Sequence, residues 1–323
     1  MNNNRYKIGV VTTSSPIDSL TNEVIEAGYT YLRDNNFEVF EHPVCRLVTG
    51  YTTGTISDRV DAIHDLVKDD SIDIIMAFWG GDNTNQILDK LDYELIKNNP
   101  KIFVGYSDTS SLLNAITKKT NMVTYLGPAV ITFCKPNIFK ESLEYFKKIA
   151  IEKEKLVEII ASKEYANDAY YKRDDDRRII LKNDGFKVFK KGNVSDKKIV
   201  AINLTMLQSL FGTEYEPDFT DKIFFCETDE AVEIETLDRM FVQLRQNGIL
   251  NKISGLVFSK IMDETGITEE DLVKIFETNI KKDIPVIFDF DCGHTDPIIT
   301  IPINGNCSID TNAQSGLQIF ISN

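Results

Sequence analysis

Three apolar runs in the first third of the chain end in the same way. Ile8-Gly9-Val10-Val11 runs into Thr12-Thr13-Ser14-Ser15-Pro16. Ile72-Asp73-Ile74-Ile75-Met76-Ala77-Phe78 runs into Trp79-Gly80-Gly81-Asp82-Asn83-Thr84, and Ile102-Phe103-Val104 into Gly105-Tyr106-Ser107-Asp108-Thr109. Runs this short and this apolar suit strands buried on both faces, and a helical pattern follows each. Helices are expected over about 20–34, over Asp58–Val67 with Val60, Ile63, His64 and Val67 on one face, from near Asn83 with Ile87 and Leu88, and over Ser110–Thr117 with Leu112, Leu113 and Ile116. This alternation predicts an α/β fold with a mostly parallel sheet covered on both faces. In such sheets sites gather at the carboxyl ends of strands, where Gly80-Gly81 and Ser107 both lie.

A strand is also expected over 37–41, and Thr124–Pro128 reads as a further strand end. From Ser162 to Lys191 the character changes. Tyr165, Tyr170 and Tyr171 are scattered among charges, and Lys172–Arg178 is a solvated run. This excursion reads as a domain linker or as a loop projecting from a second domain. Beyond it, strands are expected at Phe186–Phe189, Lys198–Ile202, Lys222–Cys226 (closing on Glu227), Ile253–Phe258 and Pro285–Phe288. The helices between are Leu204–Leu210, Glu235–Asn247 with Gly248 as its stop, and Glu269–Thr278. The division this suggests is 1–161, 162–191 and 192–323.

Length agrees with about two domains. A net charge of −14 argues against a nucleic-acid polymer or an anionic membrane as partner. No apolar run approaches the ~18 residues of a membrane span, and Met1–Lys7 leads into the first strand without a cleavable apolar segment. The five cysteines are odd in number and widely spread, so they read as reduced core residues and the protein as cytoplasmic.

The turn at Ser107 has two readings. It resembles a nucleophile elbow, in which a strained turn exposes a serine hydroxyl, although Thr109 replaces the second glycine of that pattern. A Ser–Asp pair after a strand is more often a plain helix N-cap, made by Ser107 or Asp108. Of the three histidines, His42 precedes a proline and His64 sits on a helix face, whereas His294 follows a strand in the polar loop Asp291–Asp296. An imidazole there suits proton transfer near neutral pH. Glu227, at a strand end, suits the acid that orients such a histidine; Asp229 and Glu230 are alternatives. Gly80-Gly81 suits an oxyanion hole, a phosphate cradle or a tight turn.

Taken together, Trp79–Asn85, Gly105–Thr109, Gly293-His294 with Pro297 and Pro302, the Glu227 strand and Leu237–Leu244 resemble the LD-carboxypeptidase family of serine peptidases. The excursion leading to Asn183–Phe186 is similar to that of the family's microcin C self-immunity branch. The resemblance implies a flavodoxin- or Rossmann-like N-terminal sheet domain and a smaller C-terminal β/α domain of swivelling type. It implies Ser107 as nucleophile, Glu227 as acid, His294 as base, and the N–H groups of Gly81 and Asp108 as oxyanion hole. It further implies substrate contacts at Trp79, Gly80, Asn83 and Phe186, a homodimer, and neither cofactor nor metal. The substrate class implied is an aminoacyl-nucleotide amide or a muropeptide L,D-bond, the latter as part of peptidoglycan recycling. Phe186 stands where that branch has a nucleobase-stacking tryptophan, and Ala231 where it has a lysine. The competing readings are a phosphotransferase built on Gly80-Gly81-Asp82 and a non-catalytic small-molecule binding protein.

Overall fold

The apolar runs become the centres of two sheets. The computed structural model describes residues 5–168, 178–314 and 316–323; Met1–Asn4, Tyr170, Tyr171 and the Lys172–Arg177 part of the charged run lie outside the described residues. In the first sheet, β1 (Tyr6–Val11), β2 (Phe37–Glu41), β3 (Ile74–Ala77), β4 (Ile102–Gly105) and β5 (Thr124–Leu126) pair in parallel. Parallel neighbours need long crossovers. These are α1 (Asn22–Asp34), α2 (Ile56–Lys68), a 3₁₀ stretch Thr84–Lys90 with α3 (Tyr93–Asn98), and α4 (Thr109–Thr120). A capping box of Thr55 and Asp58 starts α2. The helix expected from Asn83 is therefore a tighter 3₁₀ stretch, its first amides taken by groups outside it, as described below.

The second half follows α5 (Lys140–Phe146), β6 (Val157–Glu158), β7 (Glu164–Tyr165), β8 (Leu181–Lys182) and β9 (Lys187–Lys190). Its centre is parallel: β10 (Asn193–Asn203), β11 (Ile223–Glu227), β12 (Gly255–Ser259) and β13 (Val286–Phe290). The helices α6 (Leu204–Leu210), α7 (Ile234–Gln246), α8 (Ile249–Lys252) and α9 (Glu269–Asn279) connect them. Gly248, with φ of +72°, ends α7 and opens α8. The last strands are β14 (Ile301–Ile303), β15 (Asn306–Asp310) and β16 (Gln318–Ser322). The second sheet runs β6-β16-β15-β10-β11-β12-β13-β9, its flanks antiparallel. All five cysteines are buried and unpaired.

Two features lock the halves together. First, β14 returns to the first sheet and pairs antiparallel with β5, giving the order β14-β5-β4-β3-β1-β2. Pro302, which lacks an N–H, is tolerated because β14 is an edge strand. Second, α4 is buried on every side from Thr109 to Ile116. Its polar face meets the second sheet, where Asn114 Nδ2 donates to the Ala201 carbonyl (2.9 Å) and the Asn203 N–H donates to Ser110 Oγ (3.2 Å). Ser110 and Asn114 in this buried stretch are thus hydrogen-bonded across the seam, as burial favours.

The excursion forms a two-stranded ribbon, with Glu164 opposite Lys182 and Tyr165 opposite Leu181. Asp291 pins it from beneath, accepting from the Ser162 N–H (2.9 Å) and from Asn183 Nδ2 (3.1 Å). Among the described residues no helix is long and apolar enough to cross a membrane.

Candidate active site

Because β1, β3 and β4 are neighbours, the turns at their carboxyl ends converge. Ser107 sits after β4 with φ of +59°, a left-handed conformation that a non-glycine residue adopts only under local constraint. The N-cap alternative fails here. Asp108 occupies the cap position but makes no capping bond. Its carboxylate turns instead to the neighbouring loop, accepting from the Asn83 N–H (3.0 Å), the Thr84 N–H (3.0 Å) and Thr84 Oγ1 (2.8 Å). Burial pushes the Asp108 carboxyl above its usual range, against the lowering effect of the Thr84 hydrogen bonds.

The loop after β3 is fastened to the turn after β1. Ser14 Oγ accepts the N–H groups of Asp82 (2.9 Å) and Asn83 (2.8 Å), and Trp79 Nε1 donates to the Ser15 carbonyl (2.9 Å). The amides of Asp82, Asn83 and Thr84 are therefore spent inside the protein, which leaves them none to offer a phosphate. Among the described residues, no acceptor lies on the N–H of Gly81 or of Asp108. Gly80 keeps the space over the serine open, since a Cβ there would lie 2.8 Å from Ser107 Cβ and 2.9 Å from its Oγ.

The second sheet supplies the other side. Glu227 ends β11, fully buried, and His294 follows β13. His294 Nδ1 is 2.7 Å from Glu227 Oε2, and its Nε2 is 3.1 Å from Ser107 Oγ. Gly293 permits the first contact. Its φ is +81°, and a Cβ would fall 2.7 Å from Glu227 Cβ. The Tyr106 ring meets the imidazole edge-on, with centroids 5.1 Å apart. Burial disfavours charge on His294, but Glu227 beside it, then Asp229 and Glu230, outweigh that and raise its pKa above the ordinary histidine value.

A cavity of about 550 Å³ opens above this row of side chains. Trp79, Gly80 and Gly81 line it with Ser107 and His294, while Asn83 and Phe186 do not. Asn83 is engaged through its N–H as above, and Phe186 packs on Phe290 with ring centroids 4.6 Å apart. The lining also includes Lys135, Asp168, Thr205 and Gln208, which no local pattern marks. Ser14 was visible only as part of a polar turn after a strand. His42 Nδ1 accepts the Val44 N–H (3.2 Å) in a local turn, and His64 Nε2 accepts the Asp92 N–H (2.9 Å) at the start of α3, so both have structural partners. Among the described residues no group of three or more His, Cys, Asp or Glu is placed to hold a metal ion.

The LD-carboxypeptidase N-terminal domain matches residues 8–127 and the LD-carboxypeptidase C-terminal domain matches residues 198–309. The Microcin C7 self-immunity protein MccF of Escherichia coli is 30% identical over 313 residues, covering 94% of this chain and 90% of that protein. YocD of Bacillus subtilis, which carries a carboxypeptidase name, is 31% identical over 307 residues, covering 94% of this chain and 93% of its own. Among solved structures, an MccF-like protein from Bacillus anthracis str. Ames superposes with a TM-score of 0.92 at 30% identity, covering 98% of this chain and 97% of that one. MccF in complex with glutamyl sulfamoyl guanosine superposes with a TM-score of 0.88 at 28% identity, covering 98% and 96%. With both domains matched in order and full-length relatives aligned along nearly all of it, this chain belongs to the LD-carboxypeptidase family of serine peptidases.

Proposed function

We propose that the protein hydrolyses an amide bond through an acyl-enzyme, with Ser107 as nucleophile, His294 as base and Glu227 as the acid that orients it. The observation that carries this reading is the continuous row Glu227–His294–Ser107, at 2.7 and 3.1 Å, opening into one cavity. His294 Nε2 takes the Ser107 proton as Oγ attacks the carbonyl carbon. The oxyanion is held by the N–H groups of Gly81 and Asp108, where the loss of one donor costs on the order of 3 kcal/mol of barrier. Glu227 fixes the Nδ1–H tautomer and steadies the imidazolium. The imidazolium then returns its proton to the leaving amine, and water activated by His294 releases the acyl group.

For substrate, we propose either an aminoacyl-nucleotide amide or the L,D-bond of a muropeptide. The first is supported by the MccF complex with glutamyl sulfamoyl guanosine, the second by the carboxypeptidase names of relatives. The nucleophile then comes from 1–161 and the acid and base from 192–323, in a homodimer that light scattering would reveal. The deciding experiment is turnover of an aminoacyl sulfamoyl adenosine and of a tetrapeptide ending in D-Ala, followed side by side by mass spectrometry. Cleavage of one alone assigns the substrate class; cleavage of neither, with no acyl adduct on Ser107, would refute the proposed substrate classes.

Gly80→Ala should lower kcat/KM by about 10²-fold on whichever substrate is cleaved, because the methyl occupies the place of the attacked carbonyl. A thermal melt would show a modest loss, of about 1–3 kcal/mol, from overpacking. Wild-type kcat/KM in this variant would contradict the proposed approach to Ser107.

A further inference from the structure

Four charged side chains are linked in a row at one wall of the cavity. Lys135 Nζ lies 2.6 Å from Asp296 Oδ2, Arg178 Nη2 lies 2.8 Å from the same oxygen, and Arg178 Nε lies 3.1 Å from Asp168 Oδ1. Their side chains are 6%, 3%, 1% and 6% exposed for Lys135, Asp296, Arg178 and Asp168. They come from three separate stretches. Lys135 belongs to the first half, Asp168 and Arg178 to the excursion, and Asp296 stands two residues after His294. Ala166 and Asp296 also exchange both backbone hydrogen bonds, at 2.9 and 2.8 Å. Lys135 and Asp168 line the cavity; Arg178 does not.

Burying four charges is costly, and a well-packed apolar wall would hold the halves together at least as firmly. What the charges add is direction. A guanidinium that bridges two carboxylates sets the angle between them, which an ammonium cannot do. Lys135 and Arg178 hold Asp296 ionised against its burial, so the bridge persists at neutral pH.

We infer that Arg178 is a positioning residue for His294. Through Asp296 it holds the far end of the 291–296 loop, whose near end rests on Glu227 at Gly293. The excursion thereby completes the active site instead of merely covering it. The inference rests on His294 being the base for Ser107.

The test needs no knowledge of the natural substrate. A fluorophosphonate probe forms a bond from phosphorus to Ser107 Oγ and expels fluoride, while the base takes the serine proton. Its rate of labelling is read by intact mass across pH on the full chain. Arg178→Met and the charge-matched Arg178→Met/Asp168→Asn should melt cooperatively and label about 10²-fold more slowly, the scale of a ~1 Å misplacement of a reacting group. Their acid limb should also move to lower pH, because a loosened imidazole loses part of its contact with Glu227. Arg178→Lys keeps the charge without the bridge and should label about 10-fold more slowly, an intermediate loss. Folded Arg178 variants that label at the wild-type rate with the wild-type pH profile would overturn the positioning role while His294→Ala still labels slowly. Full-rate labelling of His294→Ala would overturn the base assignment itself, and the inference with it.

Discussion

Ser107→Ala is expected to leave a folded protein whose turnover is lower by roughly 10⁴-fold or more, about 5.5 kcal/mol of barrier. The size follows from the chemistry: without the hydroxyl no acyl-enzyme forms, and only the oxyanion donors and the cavity remain to help water attack. The fold should survive because, among the described residues, the hydroxyl's one side-chain partner is His294 Nε2, at 3.1 Å. Serine and alanine also share the cost of φ of +59°, so the strain of the turn is unchanged. The thermal midpoint should therefore stay within a few degrees of wild type. Kinetics on either proposed substrate, with intact mass to detect an adduct, would check this, and substantial turnover by the alanine variant would remove Ser107 from the mechanism.

Glu227→Gln should cost roughly 10³-fold or more in kcat, because glutamine can stabilise the wrong imidazole tautomer and cannot balance the charge that forms on it. It should also change the pH profile in a defined direction. The imidazolium is not a base, so kcat/KM falls as pH drops through the His294 pKa, which lies above the ordinary value of about 6.5. Burial, the strongest influence on that ring, opposes charge, and the Glu227 carboxylate is the main group that overcomes it. Glutamine removes the carboxylate and leaves the burial, so the plateau drops and the acid limb moves to lower pH. Stability follows the same sign. A raised histidine pKa stabilises the fold fully below about 6.5 and ceases to do so as pH rises through the raised value. The variant should therefore lose more thermal stability at acid than at alkaline pH. A limb that stays in place would assign the elevation of the His294 pKa to Asp229 and Glu230 instead.

The elements that carry these residues were legible because strands of a parallel sheet announce themselves as short apolar runs. β3, β4, β11 and β13 all lie within one or two residues of the runs that predict them. Each of Ser107, Glu227 and His294 was placed by pattern at or just after a strand's carboxyl end, and there each stands. The choice among Glu227, Asp229 and Glu230 was not legible from pattern. It depends on which carboxylate lies inside the sheet's last register, where Glu227 sits opposite Asn203, and on Gly293 closing over it. The 3₁₀ stretch at Thr84 was read as a helix start because its pinning by Ser14 and Asp108 spans 24 or more residues of sequence. Phe186, a substrate contact by its resemblance to a stacking tryptophan, packs one side of its ring on Phe290, a pairing that no local pattern foretold.

The α/β architecture and the strand-end positions of Ser107 and Glu227 were written in local periodicity, and the motifs around them already resembled the family that the matched domains establish. It took the folded chain to tie the Gly80 loop to Ser14, to place α4 between both sheets, and to bring Arg178 and Asp296 together close to His294. The difference is one of range. Periodicity reports what a residue's neighbours in sequence require, whereas His294 and Ser107 stand 187 residues apart and meet only because strand order brings two sheet ends face to face.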